Sequence, residues 1–169
     1  RELYEILITS EILALDTETT STDPIDAELV GMSFSIKENQ AFYVPVPPNY
    51  DEAKKIVKEF QPIFENEEIL KVGQNMKYDL LVLGNYGVEL RGPMFDTMIA
   101  HYVLQPELRH NMDYLAEIYL NYETIRIEEL IGAKGKNQGN MRDLPAEAVY
   151  QYACEDADVT LKLKNILEK

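Results

Sequence analysis

Apolar and polar residues follow two rhythms along this chain: a period near two in much of the first half, and a helical period in the second. "EILALD" (11–16) is an apolar run ending on an acid and reads as a buried strand. "ELVGMSFSI" (28–36) and "QAFYVPV" (40–46) alternate like strands, and the short KEN turn at 37–39 makes them a hairpin. "EILKVG" (68–73) is a further short strand, while residues 2–9 and 51–65 carry helical spacing. "NMKYDLLVLGNYG" predicts a helix capped by Asn75 that stops at Gly84 or Gly87. After Pro93 the spacing predicts helices over 96–104, 111–121, 124–131 and 144–168. Strands first and helices later, around a mixed sheet, predict an α/β or α+β sandwich.

The last of these helices carries an anomaly. At about 100° per residue, Val149, Ala153, Asp156, Thr160, Leu163 and Leu167 share one stripe, flanked by Tyr152 and Val159. Asp158 points the opposite way into solvent, and Glu155 lies at the boundary. One acid therefore sits among apolar neighbours. A buried carboxylate neutralises, pairs with a cation or binds a metal, and the helix alone does not choose among these.

Composition narrows the classes. A chain of 169 residues can bury a substantial core, and no apolar run is long enough to span a membrane. No signal peptide is visible, and an abrupt start at Arg1 with a stop inside a helix reads as a piece of something longer. The lone Cys154 excludes an internal disulfide and a multi-cysteine metal site. A formal charge of −14 argues against a free-standing tight nucleic-acid binder. It is compatible with an enzyme that gathers cations in an acidic pocket and borrows nucleic-acid affinity from a neighbour.

Three acidic motifs carry the candidate chemistry. In "LDTET", Asp16 and Glu18 are two apart on a strand and face the same way; they can share a hard cation or form a surface pair. In "GQNMKYDLL", Asp79 lies in the first turns of a helix, where the helix dipole alone would favour it. There Asn75 and Tyr78 are candidate ligand contacts, a simple cap and a core Tyr being the alternatives. In "YACED", Tyr152 and Asp156 are one helical turn apart on the same face. His101 reads as a core or boundary residue, and His110 as facing a nucleic-acid strand or capping the next helix.

In this order, D-x-E, N-x-K-Y-D and Y-x-x-x-D resemble the DEDD exonuclease superfamily with its ribonuclease H-like fold. Gln151 stands where the His subtype would carry its histidine, which indicates the Tyr subtype. "LVGMSFSI", "KVGQNMKYD", "NYGVELRGPMFDTMIAHYVL", "RHNMDYLAE", "GAKGKNQ" and "YACEDADVTL" extend the likeness. Over essentially the whole chain they are similar to the 3′–5′ exonuclease domain of bacterial DNA polymerase I. The resemblance implies a three-layer α/β fold, a central mixed sheet flanked by helices, and one exonuclease domain over residues 1–169 of a longer polymerase chain. It also implies a bacterial, cytoplasmic, nucleoid-associated enzyme, a polymerase domain in the same chain and no membrane partner.

The implied cofactors are two divalent cations, Mg²⁺ or Mn²⁺. Asp16, Glu18 and Asp156 would surround one; Asp16 would bridge to the second, with Asp79 reached through water. Two such ions stabilise the attacking and leaving oxygens of a phosphoryl displacement, releasing nucleoside 5′-monophosphates from a single-stranded or frayed DNA 3′ end. Tyr152, with an ordinary phenol pKa near 10, would orient the water rather than deprotonate it, helped by Glu18. Thr17, Asn75, Tyr78, Ile127, Lys134 and Lys136 are the implied substrate contacts. Two departures stand out: Thr22 occupies a position where the family often has a bulky apolar wedge, and Ile127 one where a stacking Phe is usual. Two other readings share the acids: a ribonuclease D-like RNA exonuclease, and a catalytically silent scaffold attached to a polymerase.

Overall fold

A computed structural model describes residues 1–169. Five strands form one mixed sheet in the order β3-β2-β1-β4-β5: β1 Ile12–Thr19, β2 Leu29–Lys37, β3 Gln40–Pro45, β4 Leu70–Gly73 and β5 Met94–Asp96. β1 is central, antiparallel to β2 and parallel to β4. Its run Leu13, Ala14, Leu15 is buried on both faces, as expected for a strand covered on both sides. The predicted hairpin forms β2 and β3. It closes on Glu38 and Asn39, with Asn39 at φ 64, in the left-handed region that Asn tolerates better than most residues.

Odd and even residues of the strands feed different layers. Leu13, Leu15, Leu29, Met32 and Phe34 face α1 (Glu2–Ile8), α2 (Tyr50–Glu59), α3 (Gln61–Phe64) and α4 (Met76–Gly84), building the main core with Val57, Phe64 and Leu83. On the opposite face Ala14 and Val72 meet Leu161 of α8 (Ala146–Leu167). α5 (Thr97–Leu104) and α6 (Met112–Leu115, continued by a π-helical turn over Ala116–Leu120) pack beside α8, where Leu115 meets Val159 and Leu163. α7 (Ile127–Ile131) precedes the 132–140 loop. The result is the expected three-layer arrangement of helices, mixed sheet and helices.

Several expectations need correction. The 51–65 helix is broken at Phe60, because Pro62 restarts the helix as α3 at a position where its missing N–H costs nothing. β5 has three residues, too few for periodicity to reveal. Asn75 does not cap α4 with its side chain; it is left-handed (φ 61, ψ 50). The cap is Asp96, whose carboxylate accepts from Asn75 N (3.1 Å), Met76 N (2.7 Å), Met98 N (2.9 Å) and Ile99 N (3.2 Å). One side chain thus satisfies the open ends of both α4 and α5.

Candidate active site

The site forms where β1 leaves the core. Ala14, Asp16 and Glu18 alternate along one face of the strand, so the apolar stripe facing α8 turns acidic at its end. β1 and β2 shift register between Glu18 and Thr19, an irregularity of the kind that re-aims side chains beside active sites. α8 crosses this face with Ala153 and Ala157 fully buried and Asp156 only 9% exposed. The helical stripe read from the sequence is therefore the face that packs. Carboxylate oxygens of Asp16, Glu18 and Asp156 lie within 4.8 Å of one another.

Such proximity has an electrostatic cost. At this spacing each ionised pair repels by about 3 kcal/mol at an effective dielectric of about 20. Burial of the Asp16 carboxyl pushes its pKa up to about 7, against the lowering effect of the Thr17 backbone hydrogen bond. Burial first, and then the charges of Asp16 and Asp79, push Glu18 well above the carboxylate range. Burial and the charges of Asp16, Glu18 and Glu155 do the same to Asp156. Glu18 Oε1 is buried without a hydrogen-bond partner. An all-oxygen donor set with an unpartnered buried oxygen fits a hard divalent cation such as Mg²⁺ or Mn²⁺.

Asp79 stands apart from this trio. It is 2% exposed, and its Oδ1 accepts from Thr17 N (3.1 Å) and Thr17 Oγ1 (2.6 Å). Burial and the charge of Asp16 raise its pKa as well, so it remains within electrostatic reach. Thr17, one residue out of phase with Asp16 and Glu18, turns its hydroxyl to Asp79 instead of outward. Tyr152 lies beside Asp156: burial and the charges of Asp156, Glu18 and Asp16 push its phenol well above the ordinary range. It is therefore a protonated donor at neutral pH.

The other predicted contacts scatter. The Tyr78 hydroxyl donates to the Ser21 carbonyl and meets Thr19 Oγ1, which fixes the loop after β1. Asn75, Lys134 and Lys136 are exposed, and Ile127 is 37% exposed at the start of α7. Asp158 is not simply solvated: it accepts from Asn39 N (2.6 Å) and pairs with Lys162 (2.6 Å), tying α8 to the hairpin. Glu155 accepts from Tyr122 Oη (2.6 Å) and Ile125 N (2.7 Å), anchoring the segment before α7. His110 neither faces outward nor caps a helix. Its Nδ1 lies 2.7 Å from Nδ1 of the fully buried His101. A cavity of about 740 Å³ between Arg109, Tyr114, Tyr122 and Arg126 is lined by none of the clustered carboxylates. Charge clustering, not cavity size, locates the site.

Sequence reasoning missed Asp96 and Arg142. An acid immediately before a helix is a capping signal, and Asp96 carried it. Arg142 donates to the carbonyls of Val46 (2.7 Å) and Leu29 (2.6 Å), joining β2 and the end of the hairpin to the turn before α8. No sequence pattern points to those long-range partners.

Comparison with known proteins accords with this geometry. A family model described as 3′–5′ exonuclease matches residues 1–169. DNA polymerase I of Pseudomonas aeruginosa is 42% identical over 167 residues, which cover 94% of this chain and 18% of that protein. The chain thus spans less than a fifth of that relative's length. Among solved structures, Brucella melitensis NrnC with bound Mg²⁺ superposes with a TM-score of 0.73 at 21% identity, covering 95% of this chain and 73% of that one. Escherichia coli RNase D, an exoribonuclease, superposes with a TM-score of 0.71 at 20% identity, covering 99% and 41%. These distant likenesses speak to the ribonuclease H-like fold. With the family match spanning every residue, and Asp16, Glu18 and Asp156 gathered at one end of β1, the chain belongs to the 3′–5′ exonuclease family.

Proposed function

We propose that residues 1–169 form a single exonuclease domain of a longer DNA polymerase, which trims mismatched 3′ ends of DNA and releases nucleoside 5′-monophosphates. The observation that carries this reading is the meeting of Asp16, Glu18 and Asp156 within 4.8 Å, with Tyr152 beside them. Asp16, Glu18 and Asp156 would hold one divalent cation, and Asp16, with Asp79 behind it, a second. Bound there, such ions supply Lewis-acid stabilisation of the attacking and leaving oxygens of a phosphodiester. The Mg²⁺ of the NrnC structure makes Mg²⁺ the first candidate.

The chain's own residues do the rest. Tyr152, kept protonated, donates a hydrogen bond that orients the attacking water. Glu18, whose Oε1 has no protein partner, accepts from that water and fixes its second direction. Asp79 locks Thr17, and so the strand between Asp16 and Glu18. Asn75, the exposed edge of Ile127 and the loop lysines Lys134 and Lys136 would line the path of the strand. Thr17 and Tyr78 act from behind, because their hydroxyls are already engaged.

Selection for mismatches needs no base readout. A duplex end must unpair to enter a single-strand site, at about 1.4 kcal/mol per stacked step, and a mismatched end has already lost part of that. An acidic chain of net charge −14 grips DNA weakly alone, which fits a domain fed by a polymerase domain in the same chain. The intact carboxylate set favours a working site over a silent scaffold.

The test is a 3′-labelled single-stranded DNA and its RNA counterpart, each incubated with Mg²⁺ or Mn²⁺, with and without chelator. Labelled mononucleotide should appear from DNA only when the metal is free. Release from RNA alone would replace DNA by RNA as the substrate, and release in chelator would overturn the metal-dependent mechanism.

A further inference from the structure

β2 presents Gly31, Ser33 and Ser35 directly opposite Glu18, Asp16 and Ala14 of β1. Residues opposite one another in an antiparallel pair share a face, so the surface of β2 beneath α8 carries only small side chains. The bulk is supplied from β3. Tyr43 pairs with Ser33 and sits diagonal to Gly31, and it leans over that glycine. A Cβ on Gly31 would overlap Cε2, Cζ and the hydroxyl of Tyr43. Gly31 does not have the left-handed backbone that demands glycine; the residue is small because the ring occupies its side-chain space.

The ring reaches both walls of the carboxylate site. On one side Gly31 is the cross-strand partner of Glu18. The Tyr43 phenol is pushed up to about 12, by burial first and then by the negative charge of Glu18. On the other side the ring packs in the cluster of Val30, Met141, Val149 and Ala153 that also receives Tyr152. The hydroxyl's one protein partner is the Val30 carbonyl at 3.5 Å, the long limit of a hydrogen bond. Shape, then, and not a strong polar contact, is what this ring contributes.

Resting on the exonuclease reading of the site, we propose that Tyr43, seated over Gly31, is a positioning residue: its ring sets the gap between Glu18 on β1 and the Tyr152–Asp156 turn of α8. It touches neither the scissile phosphate nor the cations. It acts through Glu18 and Tyr152, as supporting residues around metal ligands do.

The test compares Tyr43→Phe, Tyr43→Ala, Gly31→Ala and the Gly31→Ala/Tyr43→Ala double variant in the full chain. It reads kcat and KM on a single-stranded oligonucleotide, Mg²⁺ binding by calorimetry, and Tm. Tyr43→Ala should lower kcat and weaken Mg²⁺ binding, each by about tenfold, with KM for DNA changed by less than about twofold. Tyr43→Phe, which keeps the ring, should retain kcat within about twofold. Gly31→Ala should lose as much as Tyr43→Ala, and the double variant no more than either, because both changes act on one space. A fall in Tm with unchanged kcat and unchanged Mg²⁺ affinity would reduce Tyr43 to a packing residue and overturn the proposal. So would multiplicative losses in the double variant, or a loss in Tyr43→Phe equal to that in Tyr43→Ala. An inactive wild-type chain would defeat the exonuclease reading instead, and Mg²⁺ calorimetry on the same variants would still decide the role of Tyr43.

Discussion

Asp156 and Tyr152 sit one turn apart but have separable tasks. On the proposed reading, removing the Asp156 carboxylate would take away a cation ligand, and with it several kcal/mol of transition-state stabilisation. At 1.36 kcal/mol per decade, Asp156→Ala should lower kcat by at least about 10³-fold. On the same reading, Tyr152→Phe would remove an orienting hydrogen bond and should cost about 10²-fold, leaving cleavage that single-turnover assays detect. Because burial and the neighbouring acids hold the phenol protonated, Tyr152→Phe should scale the pH–rate profile down without moving its acid limb. A displaced limb would make Tyr152 a titrating base. Asp156 was visible in the sequence because helical phase put an acid among apolar residues. The engagement of Glu155 with Tyr122 and Ile125 was not, since its partners lie about 30 residues upstream and nothing local marks them.

Among the helices and strands, the junction of β5, α4 and α5 depends on Asp96. Its carboxylate caps two helix N-termini at once, and each cap is worth about 1 kcal/mol. Asp96→Ala should therefore destabilise the domain by about 2 kcal/mol. For a chain of this size that is a Tm drop of roughly 4–8 °C, measurable by calorimetry. A change below about 1 °C would mean that water replaces the carboxylate at no cost. α4 carries Asp79 in its first turn, so the same variant should also lower nuclease activity. The helix 144–168 was legible because its apolar stripe runs for several turns. The split of 51–65 and the existence of β5 were not: one proline broke a continuous periodicity, and a three-residue strand has no period to read.

Across the whole molecule, the acidic site couples stability to pH and metal. The folded pKa values of Asp16, Glu18, Asp79 and Asp156 are raised above their ordinary values, Asp16 to about 7. In the metal-free protein these groups therefore hold protons that the unfolded chain has already released. The folded state binds the excess, so stability falls as pH rises from the ordinary carboxylate range through the folded pKa values. In chelator, Tm should drop between pH 5.5 and pH 8. Mg²⁺ should raise Tm more at pH 8 than at pH 5.5, since binding to the folded state adds stability by mass action. An Asp16→Asn/Asp156→Asn variant should show a flatter slope and little response to Mg²⁺. His101 acts in the opposite sense: its pKa is lowered by burial and by His110, so its contribution is lost as pH falls through the histidine range. A Tm that rises with pH in chelator, equally in wild type and variant, would show that His101 outweighs the acids.

The motifs D-x-E, N-x-K-Y-D and Y-x-x-x-D carried the resemblance to the family and singled out the acids, and the strand and helix periods around them were local as well. Side-chain phase is a property of a few consecutive residues, so it can be read along the chain. Tertiary structure settled which acids share one space: Asp16, Glu18 and Asp156 converge within 4.8 Å, whereas Asp79 turns to hold Thr17. It also settled that Asp96, and not Asn75, caps α4, and that Tyr43 fills the space a side chain at Gly31 would need. These outcomes depend on the register between strands and the crossing of α8 over the sheet. Such distances between residues far apart in sequence arise only when the chain packs, and no local pattern encodes them.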